Sequence, residues 1–233
     1  MSSATQSNHS HANDALHSRA DGEDSRRRLM LAGLRLFAEK GFAATSIREL
    51  ALAAEVNVAA ISYYFRDKAG LYRAVFLEPA QDPQEELTRL AHPGLPLNAM
   101  LDGYFQLFLA PLSDGEMARL CVKLRMREML EPTGLWQEEV RSGIQPMHNL
   151  LVGALCRHMG LLHPDDELHR LAFAIAALGV YLHVGQDVME ALTPQLAQFP
   201  QAVPAWRTFL VRQADAMVRA EHLHRQNPEN TNK

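Results

Sequence analysis

Apolar residues recur at helical spacing along most of the chain, and nowhere do apolar and polar positions alternate long enough to make a strand. From residue 26 to 40, Met30, Leu34 and Phe37 share one helical face, Leu29 and Leu36 lie beside it, and Gly41 follows as a stop. The run "TSIRE" starts a second helix. In it Ser46 and Glu49 have capping-box spacing, Thr45 is an alternative N-cap, and the helix is expected to end near Ala54. Asn57 can cap a third helix and Asp67 a fourth that stops before Pro79. Further helices are predicted at 83–91, 95–111, 114–131, 133–159, 165–192 and 203–225. Pro93, Pro96, the "EPTG" at 131–134, Pro164, Pro194, Pro200 and Pro204 separate them. The pattern predicts an all-α protein without internal repeats.

Residues 1–23 hold hardly any large apolar side chains and cannot offset the entropy of ordering, so a disordered tail is expected there and again at 227–233. The chain between them divides into a module at 24–75 and a larger one at 76–226. Charge marks the same division. The formal net charge is −4, but 24–75 carries nine Lys/Arg against five Asp/Glu, a local +4, whereas the residues from 76 onward carry thirteen against nineteen. A basic module is joined to an acidic one.

At 233 residues and 47% hydrophobic content the chain can bury a sizeable core. Cys121 and Cys156 lie in apolar helical surroundings without C-x-x-C spacing, and no signal peptide precedes them, so a reducing, cytoplasmic location is expected. The longest uncharged run, Leu171 to Gln186, contains Tyr181 and His183 and is too short and too polar to predict a membrane span.

The short second and third helices, joined by a tight turn, form a helix-turn-helix if Ile47, Leu50, Ala51, Val56 and Ile61 face inward. With Ile61 and Phe65 packed on the first helix, Val58, Ala59, Ser62 and Tyr63 face outward, where the third helix can enter a major groove. Ala59 and Ala60 allow close approach, and Ser62, Tyr63 and Tyr64 offer hydroxyls to phosphates. A plain helical hairpin with surface tyrosines is the alternative.

The stretch "GFAATSIRELALAAEVNVAAISYYFRDKAGLYRAVF" resembles the DNA-binding domain of the TetR family of transcriptional regulators. The resemblance implies an all-α homodimer with an N-terminal three-helix DNA-binding domain and a larger C-terminal domain that binds a small effector and dimerises. It puts Thr45 or Ser46, Tyr63 and Lys68 at phosphate-contacting positions, and Arg48, Val58, Ala60, Ser62 and Tyr64 where such proteins read base edges. Arg48 is the strongest base reader, because a guanidinium can pair bidentately with guanine O6 and N7; a surface pairing with Glu49 or Glu55 is its alternative. Two departures stand out: Glu55 replaces the usual turn glycine, and Ala60 a common threonine. The turn must avoid a left-handed conformation or accept a cost of roughly 1 kcal/mol. Farther on, "RMREMLEPTGLW" and the long helix after it are similar to the branch that includes the CecR-like regulators.

The predicted helix at 165–192 is apolar on two faces. Leu168, Leu171, Ile175, Leu178, Leu182, Met189 and Leu192 form one stripe, and Phe173, Ala177, Val180, Val184 and Val188 the other. One face can pack on its own domain and the other on a partner, with Ala174 and Gly179 permitting close approach. With Trp206, Phe209, Leu210 and Met217 of the last helix, this stripe is the expected dimer surface. The effector pocket is expected among the middle helices. Tyr104, Phe105, Phe108, Met126, Met129, Trp136, Met147 and Leu151 can supply its walls, and Arg125, Glu128, His148 and His183 its polar groups.

Catalytic signatures are missing: no G-x-G-x-x-G, P-loop, H-E-x-x-H or nucleophile elbow occurs. His183 with Asp187, His9 with His11, and His222 with His224 lack a third ligand at useful spacing, so no metal and no cofactor is expected. The expected function is a dimeric regulator, a repressor, that binds a palindromic operator and is released by a small molecule. A helical receptor or adaptor without operator binding, and an all-α enzyme using the same pocket, are the alternatives.

Overall fold

The computed structural model describes residues 7–77 and 84–226, and every regular element among them is helical. The chain forms two compact units, Met1–Pro79 and Ala80–Lys233. The division comes slightly later than residue 75 because Val75 and Phe76 are buried in the first unit. The expected tail at 227–233 lies outside the described residues.

In the first unit, helices α1 (Ser7–Ala44), α2 (Ile47–Ala53), α3 (Ala59–Phe65) and α4 (Lys68–Leu77) enclose a small core. Leu29, Leu34 and Phe37 of α1 are buried with Leu50, Ile61, Phe65 and Leu71, and the Phe37 and Tyr72 rings meet edge-to-face at 5.0 Å. Ile47, expected to face inward, is instead 38% exposed. The stop expected at Gly41 is a kink, with φ 82 and ψ 168. At its other end α1 runs back to Ser7, through most of the segment expected to be disordered. Once the packed part of a helix is nucleated, each added residue gains a hydrogen bond for its own ordering alone.

Local cap chemistry sets the other boundaries. Ser46 and Glu49 form the full capping box: Ser46 Oγ accepts from the Glu49 N–H at 3.1 Å, and Glu49 Oε2 from the Ser46 N–H at 2.8 Å. After α2, the Val56 N–H reaches Ala51 O at 3.0 Å and the Glu55 N–H reaches Leu52 O at 3.1 Å, the two bonds of a Schellman motif. That motif requires a left-handed residue, and Glu55 supplies it with φ 53. The turn therefore accepts the cost of about 1–2 kcal/mol that a side chain carries there. Asn57 Oδ1 accepts from the Ala59 N–H at 2.9 Å and Asp67 Oδ1 from the Gly70 N–H at 2.7 Å, as their cap positions predict.

The second unit contains α5 (Gln84–Leu90), α6 (Leu97–Ser113), α7 (Glu116–Leu130), α8 (Trp136–Glu139), a π-helical turn (Val140–Ile144), α9 (Gln145–Met159), α10 (Asp166–Val184), α11 (Gln186–Leu192), a 3-10 turn (Pro194–Leu196) and α12 (Val203–Gln226). Two predicted helices are thus interrupted. The one at 133–159 passes through the π turn, and the one at 165–192 breaks at Gly185, whose φ of −98 and ψ of 12 leave the helical region. Leu101, Tyr104, Phe105, Leu151, Leu155, Leu168, Ile175 and Leu210 are fully or almost fully buried in one core. Asp165 caps α10, accepting from the Leu168 N–H at 2.9 Å, and Arg225 of α12 grips the same carboxylate at 2.6 and 2.8 Å. That guanidinium, then the Leu168 amide, holds the Asp165 carboxyl well below the usual carboxylate range.

The 19-residue helix α10 is long and apolar enough to cross a membrane by composition. Its Leu168, Ala172, Ile175 and Leu182 stripe is nevertheless the core of the unit, so it folds as a central packed helix. The second stripe is largely exposed, with Phe173 at 62%, Val184 at 55% and Val188 at 49%, and Tyr181 beside it is 50% exposed.

Candidate nucleic-acid interface

The outer surface of α2 and α3 gathers most of the residues expected to meet DNA. Ile61 and Phe65 are buried, which turns Val58, Ala59, Ser62 and Tyr63 outward, with Tyr63 82% exposed. Ser46 and Arg48 are exposed at the start of α2. Both carboxylates that could have claimed Arg48 are engaged elsewhere: Glu49 pairs with Lys40 Nζ at 2.9 Å, and Glu55 lies 4.0 Å from Arg28. The Ser46 amide, then Lys40, pulls the Glu49 carboxyl down to about 2. Among the described residues no group pairs with the Arg48 guanidinium. Ala59 was not among the base-reading positions implied by the resemblance, yet the helical period alone places it on this face.

Four of the expected DNA contacts are placed differently. Thr45 is 1% exposed, and its hydroxyl donates to Gly41 O at 2.8 Å and Leu36 O at 3.3 Å, so it fastens the end of α1 and leaves Ser46 as the surface hydroxyl. Ala60 and Tyr64 share a half-buried edge of α3; a Cβ at Gly22 would lie 3.3 Å from the Tyr64 hydroxyl, which turns that group toward α1. Lys68 donates from Nζ to Phe42 O at 2.8 Å and Thr45 O at 2.9 Å, and its ammonium sits 4.3 Å from the Phe42 ring centroid. Two of its three N–H donors thus close the α1–α2 junction. Lys68→Ala is accordingly expected to destabilise the protein by about 2 kcal/mol, the scale of hydrogen bonds to a charged group. Thermal denaturation beside a salt titration of DNA binding checks this. An unchanged melting temperature with a salt slope smaller by about one would return Lys68 to the phosphates.

Of the residues expected to form an effector pocket, Tyr104, Phe108 and His183 come together, with the Phe108 ring 6.0 Å from that of Tyr104 and 5.9 Å from that of His183, and the others are placed variously. Tyr104, Phe105 and Leu151 are closed into the core, whereas Met129 is 44% exposed. Phe108, Met147 and Trp136 are half-buried. The Glu128 carboxylate, fully buried, accepts from the Thr133 N–H and hydroxyl and the Leu135 N–H at 2.8–3.1 Å, so it shapes the turn before α8. Arg125 pairs with Glu139 at 3.1 Å. His183 Nε2 bonds Phe108 O at 2.9 Å. A groove of about 630 Å3 does open between α6 and α12, lined by Asn98, Asp102, Thr208, Arg212 and Asp215 among others, and it includes none of the expected pocket residues. Apolar side chains on middle helices fill a core for the same reason that they would line a cavity, and here the core takes most of them.

The expected dimer surface divides as well. Phe173, Ala177, Val184 and Phe209 are exposed, and Val180 is half-buried. Gly179 faces inward, where a Cβ would stand 2.8 Å from the Phe108 ring, and Leu210 is 2% exposed in the core. Trp206 and Met217 pack against that core, and Trp206 Nε1 donates to Leu196 O at 2.9 Å.

Residues 97–221, more than half of the chain, match the family described as "HTH-type transcriptional dual regulator CecR, C-terminal domain", and residues 29–75 match "Bacterial regulatory proteins, tetR family". The chain belongs to the TetR family. Its C-terminal unit is of the CecR branch. The CecR dual regulator of Shigella flexneri is 31% identical over 158 residues, 63% of this chain and 70% of that protein. The probable regulator YttP of Bacillus subtilis is 52% identical over 44 residues, only 21% of its own length. Among solved structures, NalD, described as the secondary repressor of the MexAB-OprM multidrug efflux pump in Pseudomonas aeruginosa, shares the fold with a TM-score of 0.61. It is 23% identical over 84% of this chain and 97% of its own. SmeT in its triclosan complex has a TM-score of 0.56 and 19% identity over 81% of this chain and 90% of its own. This TetR-family chain is a DNA-binding transcriptional regulator.

One cluster in the C-terminal unit escaped the sequence patterns. His148 Nε2 and His169 Nδ1 lie 2.9 Å apart, and the His148 ring stacks on Phe173 at 4.6 Å. The positions are 21 residues apart on different helices, so spacing gave no signal. Burial, then the neighbouring His169, lowers the His148 pKa from its ordinary 6.5; burial also lowers that of His183, against the Phe108 carbonyl. Between the ordinary and the lowered values the unfolded chain binds more protons than the folded one. Stability is therefore intact above 6.5 and falls as the pH drops through that value. The melting temperature is expected to be lower at about pH 5.5 than at about pH 7.5, and less steeply so in His148→Gln. Calorimetry of both proteins across that range checks it, and equal slopes would remove His148 from the effect.

Proposed function

We propose that the protein represses transcription by binding a palindromic operator as a homodimer in the cytoplasm, and that it leaves the operator when a small, largely apolar molecule occupies the C-terminal unit. The observation that carries this reading is the exposed face of α2 and α3 with Arg48 unpaired on it among the described residues. The net +4 of residues 24–75 favours phosphates, and a guanidinium free of intramolecular partners is available to a guanine edge. The exposed stripe of α10 favours a second copy, since a row with Phe173, Tyr181 and Val184 in water gains from being covered. The likeness to NalD, an efflux-pump repressor, and to SmeT, seen with triclosan, favours repression and an apolar effector. Half-buried Phe108, Met126, Trp136 and Met147 are the side chains left to meet it. Release follows from linkage: an effector that prefers the weakly binding conformation lowers operator affinity by that preference, typically about 1–3 kcal/mol.

The test of this reading is Arg48→Ala. It is expected to weaken specific binding by about 1–3 kcal/mol and to relax preference at one position per half-site. Competition against a set of operator variants reads both. A uniform loss across all variants would make Arg48 a phosphate contact.

A further inference from the structure

From Val58 to Phe65 the sequence is VAAISYYF, without an amide, a carboxylate or a cation. Of its three hydroxyls, that of Tyr64 is turned toward Gly22, which leaves Ser62 and Tyr63 on the outer face with Val58 and Ala59. The neighbouring Asn57 has its Oδ1 committed to the Ala59 N–H at 2.9 Å. Helix α3 therefore has little means of reading a base by paired hydrogen bonds. What it does present is apolar. Val58 is 44% exposed in the first turn of α3, whose side-chain acceptor is Asn57. Packing within its own unit does not account for a valine there.

The major groove offers one apolar group on its base edges, the C5 methyl of thymine. Resting on the reading of α2 and α3 as an operator-binding surface, we infer that Val58, with Ala59 beside it, selects thymine through that methyl, while Arg48 supplies the hydrogen-bonded readout. Each half-site then contains a thymine whose discrimination is hydrophobic. Its contact is lost when the methyl is lost, although every Watson–Crick hydrogen bond and every phosphate stays in place.

The experiment begins with the full-length chain and a duplex library of random sequence, from which a preferred site is selected. In that duplex each thymine is replaced in turn by deoxyuridine. One or two positions per half-site are expected to lose about four-fold in affinity, the factor that burying one methyl contributes. In Val58→Ser, an exposed substitution, the same duplexes are expected to bind alike. If a site is selected but no deoxyuridine duplex weakens binding, or if Val58→Ser keeps the four-fold difference, the inference is overturned while the operator reading stands. If no sequence is enriched at all, the operator reading fails and the inference with it.

Discussion

Ala177→Glu is expected to give a folded, helical monomer that has lost at least about 100-fold of its operator affinity, with every proposed DNA contact intact. Ala177 is exposed on the stripe of α10 that also bears Phe173, Tyr181 and Val184, so a carboxylate there would be buried unpaired against a second copy. One recognition helix reads only a few base pairs; two held together gain the effective concentration of a linked pair, about 10²–10⁴ in affinity. Gly179, two residues on, predicts a different outcome. A Cβ at Gly179 meets the Phe108 ring at 2.8 Å, so Gly179→Arg is expected to disrupt the C-terminal unit itself. Sedimentation and circular dichroism of the two variants separate these cases. A dimeric Ala177→Glu protein would mean that another surface joins the protomers.

The second large effect is expected in the DNA-binding unit. A Cβ at Gly70 would lie 1.9 Å from the Phe65 carbonyl oxygen, a backbone atom that cannot turn aside as a side chain does. Gly70→Ala must push α4 away from the end of α3, at about 3 kcal/mol or more. Since α3 is held by that contact, DNA binding should fall with stability. Gly153→Ala is the control. There the nearest atom is Arg157 Nη1 at 3.5 Å, so the substitution is expected to be neutral or to stabilise α9 by up to about 1 kcal/mol. Thermal denaturation of both variants decides the matter. A Gly70→Ala protein as stable as its parent would mean that α3 and α4 can separate at little cost.

What could be read from the sequence was what is decided locally. Ser46 with Glu49, Asn57 and Asp67 cap where expected because a cap involves residues within three positions of each other. By sequence alone Glu55 is the difficult residue of the turn, and its φ of 53 gives the outcome that a sequence leaves open. A remote partner leaves no such local signal. Nothing in the sequence near Lys68 points to the carbonyls of Phe42 and Thr45, which lie 26 and 23 residues earlier. Gly179 and Ala177 both read as small residues suited to close helix approach. Two residues nevertheless turn an α-helix by about 200°, so one faces the core and the other the solvent. Tyr104, Phe105 and Leu151 satisfied the pattern of a pocket wall as well as that of a core, and periodicity does not separate the two.

The most direct test of the central claim, that this is a dimeric reader of specific DNA, is selection from a random duplex library by the unmodified full-length chain near physiological salt. The account predicts an inverted repeat whose half-sites are centred about 10–10.5 base pairs apart or a multiple of that, about 34–36 Å per turn, bound by two protomers. Recovery of an unrepeated site occupied by one protomer, or no enrichment over random sequence, would contradict it.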